Sequence, residues 1–214
     1  MKIDFILSDT TKGATTATLK TIAKNAESDI FGSHIVIVPE TKSIIIEKEL
    51  LNLSSRGSFA NVYVYSFVRL LDRLGGFDPE KFVGKQACVM LLRKIIYDNI
   101  SKLSCYKKTA KTIGFAEKMY ETIAQLKSSE VSAKDLELAM QSEASSLKVK
   151  LADIILIYSE YEKALGNELY DDFGRLSLLS DFSKNSELIH DSDIYIVGFD
   201  NITTEMQRVL KDLA

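Results

Sequence analysis

Between Gly84 and Ser183 no segment of this chain reads as a strand, yet strand-like segments stand on both sides of that stretch. A sheet begun early in the chain is completed only beyond residue 190, so the residues between must fold as something of their own. Four segments carry the strand pattern. "KIDFIL" places Ile3, Phe5 and Leu7 in alternation, and "HIVIV" is a continuous apolar run bounded by Gly32-Ser33 and Pro39. "NVYVYS" alternates valine with tyrosine, and "DIYIVGF" follows far downstream at 193–199. Continuous β-branched runs suit strands covered on both faces, as in a parallel sheet. Helical patterns at about 14–27 and 40–53 separate the first three strands, the rhythm of right-handed βαβ units.

The middle of the chain keeps a different period. Cys88, Leu91, Leu92, Ile95, Ile96, Ile100 and Leu103 recur at helical spacing, as do Phe115, Met119, Ile123 and Leu126. A third stripe runs through Leu151, Ile154, Ile155, Tyr158, Tyr161 and Leu165. Such stripes are the core faces of packed helices. In "SSEVSAKDLELAM", Ser132 is the expected N-cap, with Asp135 three residues on. Pro39 closes the second strand and Pro79 marks the entry to the helical region. The expected fold class is α/β, a parallel sheet interrupted by an all-α insertion. Residues 1–80 plus 186–214 form the sheet domain in this reading, and 81–185 the insertion.

With 46% hydrophobic and 27% charged residues the composition is that of a soluble globular protein. No apolar run approaches the roughly 18 residues of a membrane span, and "MKIDFILSDTT" turns acidic too soon for a secretory signal. Cys88 and Cys105 match no zinc or redox spacing and read as buried thiols of a reducing cytoplasm. His34 and His190 each precede a strand without ligand partners, so no metal site is expected. Charge is segregated. Residues 81–127 hold ten Lys/Arg against three Asp/Glu, and residues 128–193 hold six against fourteen. The basic block either attracts a phosphate backbone or pairs with the acidic block inside a helix bundle.

A phosphate-binding loop belongs between the first strand and the first helix, with the pattern G-x-x-x-x-G-K-[ST]. Laid over Ser8–Thr15, the chain supplies Gly13 and Thr15 but has Ser8 for the first glycine and Ala14 for the lysine. Gly13, Thr15 and Thr16 remain as a helix N-terminus able to take an anion or a structural water. Ala14 offers no charge to a phosphate. The segment is thus either a degenerate nucleotide site or an ordinary strand-to-helix turn.

Taken in order, "IVIVPETKSIIIEKELL", "VYSFVRLLDRL", "GKQACVMLLRKII", "GFAEKMYETIAQLK", "KLADIILIYSEYEKAL" and "IYIVGFDNITTEMQRVL", with the degenerate loop before them, resemble the N-terminal region of the AddB/RexB family. That family is the second subunit of the bacterial AddAB-type ATP-dependent helicase–nuclease. The resemblance covers essentially the whole chain, which reads as part of a longer protein. It implies a superfamily 1 helicase-like, P-loop-type domain split by a helical insertion, cytoplasmic, acting in DNA double-strand-break repair. It also implies two partners, DNA as single strand or duplex end and an AddA/RexA-type motor subunit. No cofactor is expected in this chain: Ala14 departs from the lysine that many members retain, and Val197-Gly198 stands where an active helicase shows Asp-Glu. Asp200 comes two or three residues late for that role, and the family's iron–sulfur cluster belongs to its C-terminal nuclease domain. No catalytic residue is assigned. By resemblance to helicase turns, Thr41, Lys42, Ser66 and Arg69 are candidate contacts to the strand backbone. The plainer roles are capping for Thr41 and Ser66 and a surface salt bridge for Arg69. Tyr63 and Tyr65 either stack on bases or fill space between sheet and helix.

Overall fold

The apolar run around Ile35 forms the middle of a sheet. In the structure, a computed structural model that describes residues 10–141, 145–184 and 186–213, β1 (Ser33–Ile37) lies between β2 (Val62–Tyr65) and β3 (Ser192–Ile196). Both pairings are parallel, with Ile35 opposite Tyr63 and Ile194, and Ile37 opposite Tyr65 and Ile196. The protein is α/β, with a small three-stranded parallel sheet and helices making up most of the rest. The expected strand "KIDFIL" falls outside the described residues.

Side-chain alternation along β1 sorts its residues into two cores. Val36 and Val38 meet Leu19 and Ile22 of α1 (Thr11–Ser28) and Ile46 and Leu50 of α2 (Ser43–Leu53). Ile35 and Ile37 meet Phe67, Leu70 and Leu71 of α3 (Phe67–Arg73), with further residues from α8 (Asp172–Ser183), α9 (Glu187–His190) and α10 (Thr204–Leu213). Ile35, Val36 and Ile37 are fully buried because both faces are covered. Each such side chain contributes about 1.5–3 kcal/mol of hydrophobic stabilisation.

The helical middle encloses a core of its own. It is built by α4 (Lys85–Asp98), α5 (Phe115–Ser128), α6 (Ala133–Gln141) and α7 (Ser145–Leu165). The expected stripes bury Cys88, Leu92, Ile95, Ile96, Phe115, Met119, Ile123, Ile155, Tyr158, Tyr161 and Leu165, and Ile157 joins them. Ser132 caps α6 as its sequence context implies. Its Oγ accepts from the Asp135 N–H at 3.2 Å, and Asp135 Oδ2 accepts from the Ser132 N–H at 2.8 Å. The first stripe differs from expectation in one respect. The helix stops at Asp98, where Asn99 turns its amide back to the Ile95 carbonyl at 3.0 Å, so Leu103 enters the core from a loop.

The described residues fall into two compact units, one drawn from Met1–Phe77, Leu176–Ile202 and Met206–Ala214, the other from Asp78–Arg175 and Thr203–Glu205. At the mouth of the helical unit, the Val83 N–H donates to the Tyr170 carbonyl at 2.8 Å and the Tyr170 N–H to the Lys81 carbonyl at 3.0 Å. The Tyr170 hydroxyl also donates to the Asp78 carbonyl at 2.7 Å. The unit's incoming and outgoing segments are thus zipped together.

Two sequence expectations are corrected. Cys88 is buried, but Cys105 is exposed, because only its backbone is drawn inward, toward Asp153. His34, the first residue of "HIVIV", does not precede the strand but is its second residue, buried with its Nδ1 3.3 Å from Asp193 Oδ2 in an orientation that makes no hydrogen bond. Of the two readings of the basic block, pairing with the acidic block accounts for little. Among the described residues only Lys127 forms such ion pairs, to Glu162 at 2.7 Å and Asp171 at 2.9 Å. Among the described residues no helix is long and apolar enough to cross a membrane, and no group of three His, Cys, Asp or Glu is placed to hold a metal.

Candidate functional site

Because the three strands run parallel, the turns that follow them emerge at one edge of the sheet, where open α/β sheets hold their ligands. After β1, Pro39 leads into a single 3₁₀ turn, Glu40–Lys42, closed by the Lys42 N–H on the Pro39 carbonyl at 2.9 Å. After β2 comes Ser66, and after β3 the segment Val197–Asp200. Of the four expected strand contacts, Lys42 is the most engaged. Its Nζ crosses from the first turn to the third, donating to the Gly198 carbonyl at 2.7 Å and to Asp200 Oδ2 at 2.8 Å.

Gly198 makes that crossing possible. Its φ is +81°, and a Cβ there would stand 3.2 Å from Ile46 Cδ1 and 3.5 Å from Lys42 Cδ. Beside it, Val197 is buried in the core under α1 and α2, its N–H on the Ile37 carbonyl at 2.9 Å. The side chain at the end of β3 therefore packs against apolar neighbours, and the nearest carboxylate, Asp200, is occupied by Lys42.

The other candidates divide. Ser66 is buried and caps α3, its Oγ accepting from the Arg69 N–H at 3.3 Å. Arg69 reaches back to the first turn, with Nε 3.2 Å from Glu40 Oε1 and Nη1 3.9 Å from Glu47 Oε1. For both residues these are the plainer of the two roles open from sequence. Thr41 is exposed and caps nothing, since the 3₁₀ turn starts at Pro39 without a side-chain cap. Tyr63 and Tyr65 lie with parallel rings 6.3 Å apart, Tyr63 38% exposed and Tyr65 packed against the core under α3.

At the start of α1, Thr10 is the N-cap, its Oγ1 accepting from the Gly13 N–H at 3.0 Å and its carbonyl from the Ala14 N–H at 3.1 Å. Gly13 thus belongs to the first helical turn rather than to a loop, and its amide is already used. Thr15 and Thr16 follow in the next turn, half-buried and exposed. Ser8 lies outside the described residues.

A family model described as ADDB, N-terminal, matches residues 5–214. The chain belongs to this family. Over its full length it is 30% identical to the B subunit of the ATP-dependent helicase/deoxyribonuclease of Bacillus pumilus and 28% identical to that of Alkaliphilus metalliredigens. Over 94% of its length it is 30% identical to the Staphylococcus aureus protein of the same name. The chain spans 19% of the first two relatives and 18% of the third.

In this AddB-family domain the edge of the sheet holds two cations, Lys42 and Arg69, against three carboxylates, Glu40, Glu47 and Asp200. All five side chains are at least one-third exposed, so each pair contributes only about 0–1 kcal/mol and exchanges readily. A phosphate reaching either cation would have to displace a carboxylate, which these exposed side chains permit only by swinging the freed acid out to solvent. What sequence reasoning misses is the link between turns. Asp200 reads from sequence only as misplaced for magnesium, and its distance from Lys42 along the chain gives no sign that the two meet.

Proposed function

We propose that this chain is a DNA-handling domain of a helicase/deoxyribonuclease B subunit, with a helicase-like α/β frame whose nucleotide site is silent. The observation that carries the silent site is the closed first turn of α1, where Thr10 takes the amides of Gly13 and Ala14. Ala14 supplies no lysine, and buried Val197 supplies no carboxylate for magnesium. The relatives' name supplies the wider setting, an ATP-dependent helicase and deoxyribonuclease. In this reading the ATP-driven motor is the partner subunit of AddA/RexA type, the nuclease lies in other parts of the B subunit, and the assembly works on broken DNA in the cytoplasm. Lys42 and Arg69 exchange their carboxylates for strand phosphates, with exposed Thr41 beside them, while buried Ser66 acts through the cap that orients Arg69.

Docking of a protein partner draws separate support from α2, where Ile44 is 74% and Ile45 58% exposed on the outer face. Titration with an ATP analogue and magnesium is expected to show no binding at micromolar concentrations, and saturation there would overturn the silent site. Labelled single-stranded DNA is expected to bind with an affinity that falls as salt rises. A flat salt dependence would leave only the protein-docking reading.

A further inference from the structure

The basic block of residues 81–127 is not consumed by the fold. Lys107, Lys108 and Lys111 are exposed, and among the described residues none forms an ion pair. They sit within five consecutive residues on the loop between α4 and α5, ending in a 3₁₀ turn, Thr109–Lys111. That loop is held at several points. The N–H groups of Ser104, Cys105 and Tyr106 converge on the buried carboxylate of Asp153 at 3.0, 2.9 and 2.8 Å. The Tyr106 ring leans on Phe115 at 5.5 Å, and the Ala110 N–H donates to the Tyr106 carbonyl at 2.7 Å. Asp153 lies on α7, and exposed Lys150 precedes it by one helical turn on the same side.

We propose that this lysine loop, Lys107, Lys108 and Lys111 with Lys150 beside it, grips the phosphate backbone of duplex DNA. The proposal rests on the DNA-handling function above and assigns its duplex contact to the helical unit. Charge complementarity selects a polyanion: among the described residues the lysines pair with no carboxylate, whereas the cations at the sheet edge are outnumbered by theirs. Pinning by Asp153 and Phe115 means that little backbone freedom is lost on binding. The loop's one aromatic ring, Tyr106, is partly buried against the helical core and leans on Phe115, so the loop itself presents lysines rather than a ring, and phosphate contact suits a duplex.

Binding of the full chain to a blunt labelled duplex, measured across a salt series, tests this. The variant Lys107→Gln/Lys108→Gln/Lys111→Gln is expected to lower the slope of log K against log salt by about 2–3 and to weaken binding on the order of a hundredfold near 0.1 M salt. A control with equal charge loss, Lys20→Gln/Lys24→Gln/Lys48→Gln on exposed lysines of the sheet unit, is expected to bind nearly as the parent does. Far-UV circular dichroism and thermal unfolding verify that both variants fold. In the parent, duplex is also expected to slow maleimide alkylation of exposed Cys105 at least severalfold. If the parent binds neither single strand nor duplex, the DNA-handling function fails and this proposal with it. If the parent binds duplex but the two variants weaken alike, or Cys105 stays unprotected, the lysine loop alone is overturned. The same holds if polyglutamate distinguishes parent from loop variant while duplex does not, since the loop would then serve an acidic protein.

Discussion

Gly198 is the residue on which the sheet edge most depends. Replacing it with alanine places a Cβ at positive φ and 3.2 Å from Ile46, so Gly198→Ala should cost at least about 1 kcal/mol in urea unfolding. Its dipeptide context suggests a missing acid, and only the folded chain shows that a left-handed turn here lets Lys42 reach its carbonyl. A second residue-scale prediction concerns the buried pair under α5. Burial disfavours the Asp171 carboxylate, but Lys127 and the hydrogen bonds from Gly174 and Tyr161 outweigh it and hold the pKa below the usual carboxylate range. Burial likewise pulls Lys127 down, and Asp171 with Glu162 more than restores it. A depressed carboxylate stabilises the fold above its unfolded pKa, and that contribution is lost as pH falls through the lower folded value, below about pH 4. Lys127→Met leaves the buried carboxylate without its cation and should cost about 3–5 kcal/mol at pH 7, and the cost should shrink on acidification because the variant's Asp171, no longer held down by Lys127, takes up a proton at higher pH than the parent's. Urea unfolding at pH 7 and pH 4 measures both.

Among the elements, those with a strong period were legible and those fixed by tertiary contact were not. β1, β2, β3, α2, α5 and α7 follow from alternation or helical stripes, and the α6 cap follows from Ser132 and Asp135. The end of α4 was not legible, because Ile100 and Leu103 keep the apolar spacing after the backbone has turned at Asn99. Nothing in the spacing of Asp153 announced that it would gather three amides from a loop nearly fifty residues away. Removing that carboxylate leaves three donors without a charged acceptor, so Asp153→Ala should destabilise the helical unit by about 2–4 kcal/mol. Amide exchange at 104–106 should accelerate with it. Unchanged exchange there would show the loop to be held by other contacts.

On the scale of the molecule, each unit encloses its own core: every member of the helical cluster falls between Val83 and Phe173. With its two ends zipped at Val83 and Tyr170, the segment 78–175 should fold alone into a helical domain that unfolds cooperatively, as followed by circular dichroism and calorimetry. A molten product would show that it needs the sheet unit. The charge segregation was legible at this scale as a number, but its use was not. Composition cannot distinguish lysines spent on carboxylates from lysines left for a ligand, and among the described residues only Lys127 of the block forms an ion pair with the acidic region. The link from Lys42 to Asp200 joins residues 158 positions apart. A ribosome adding 5–20 residues per second needs on the order of 10–30 s to span that gap. During synthesis, then, β1 and β2 emerge while the flank of β1 that β3 covers is still bare, an open strand edge of the kind that holding chaperones shield.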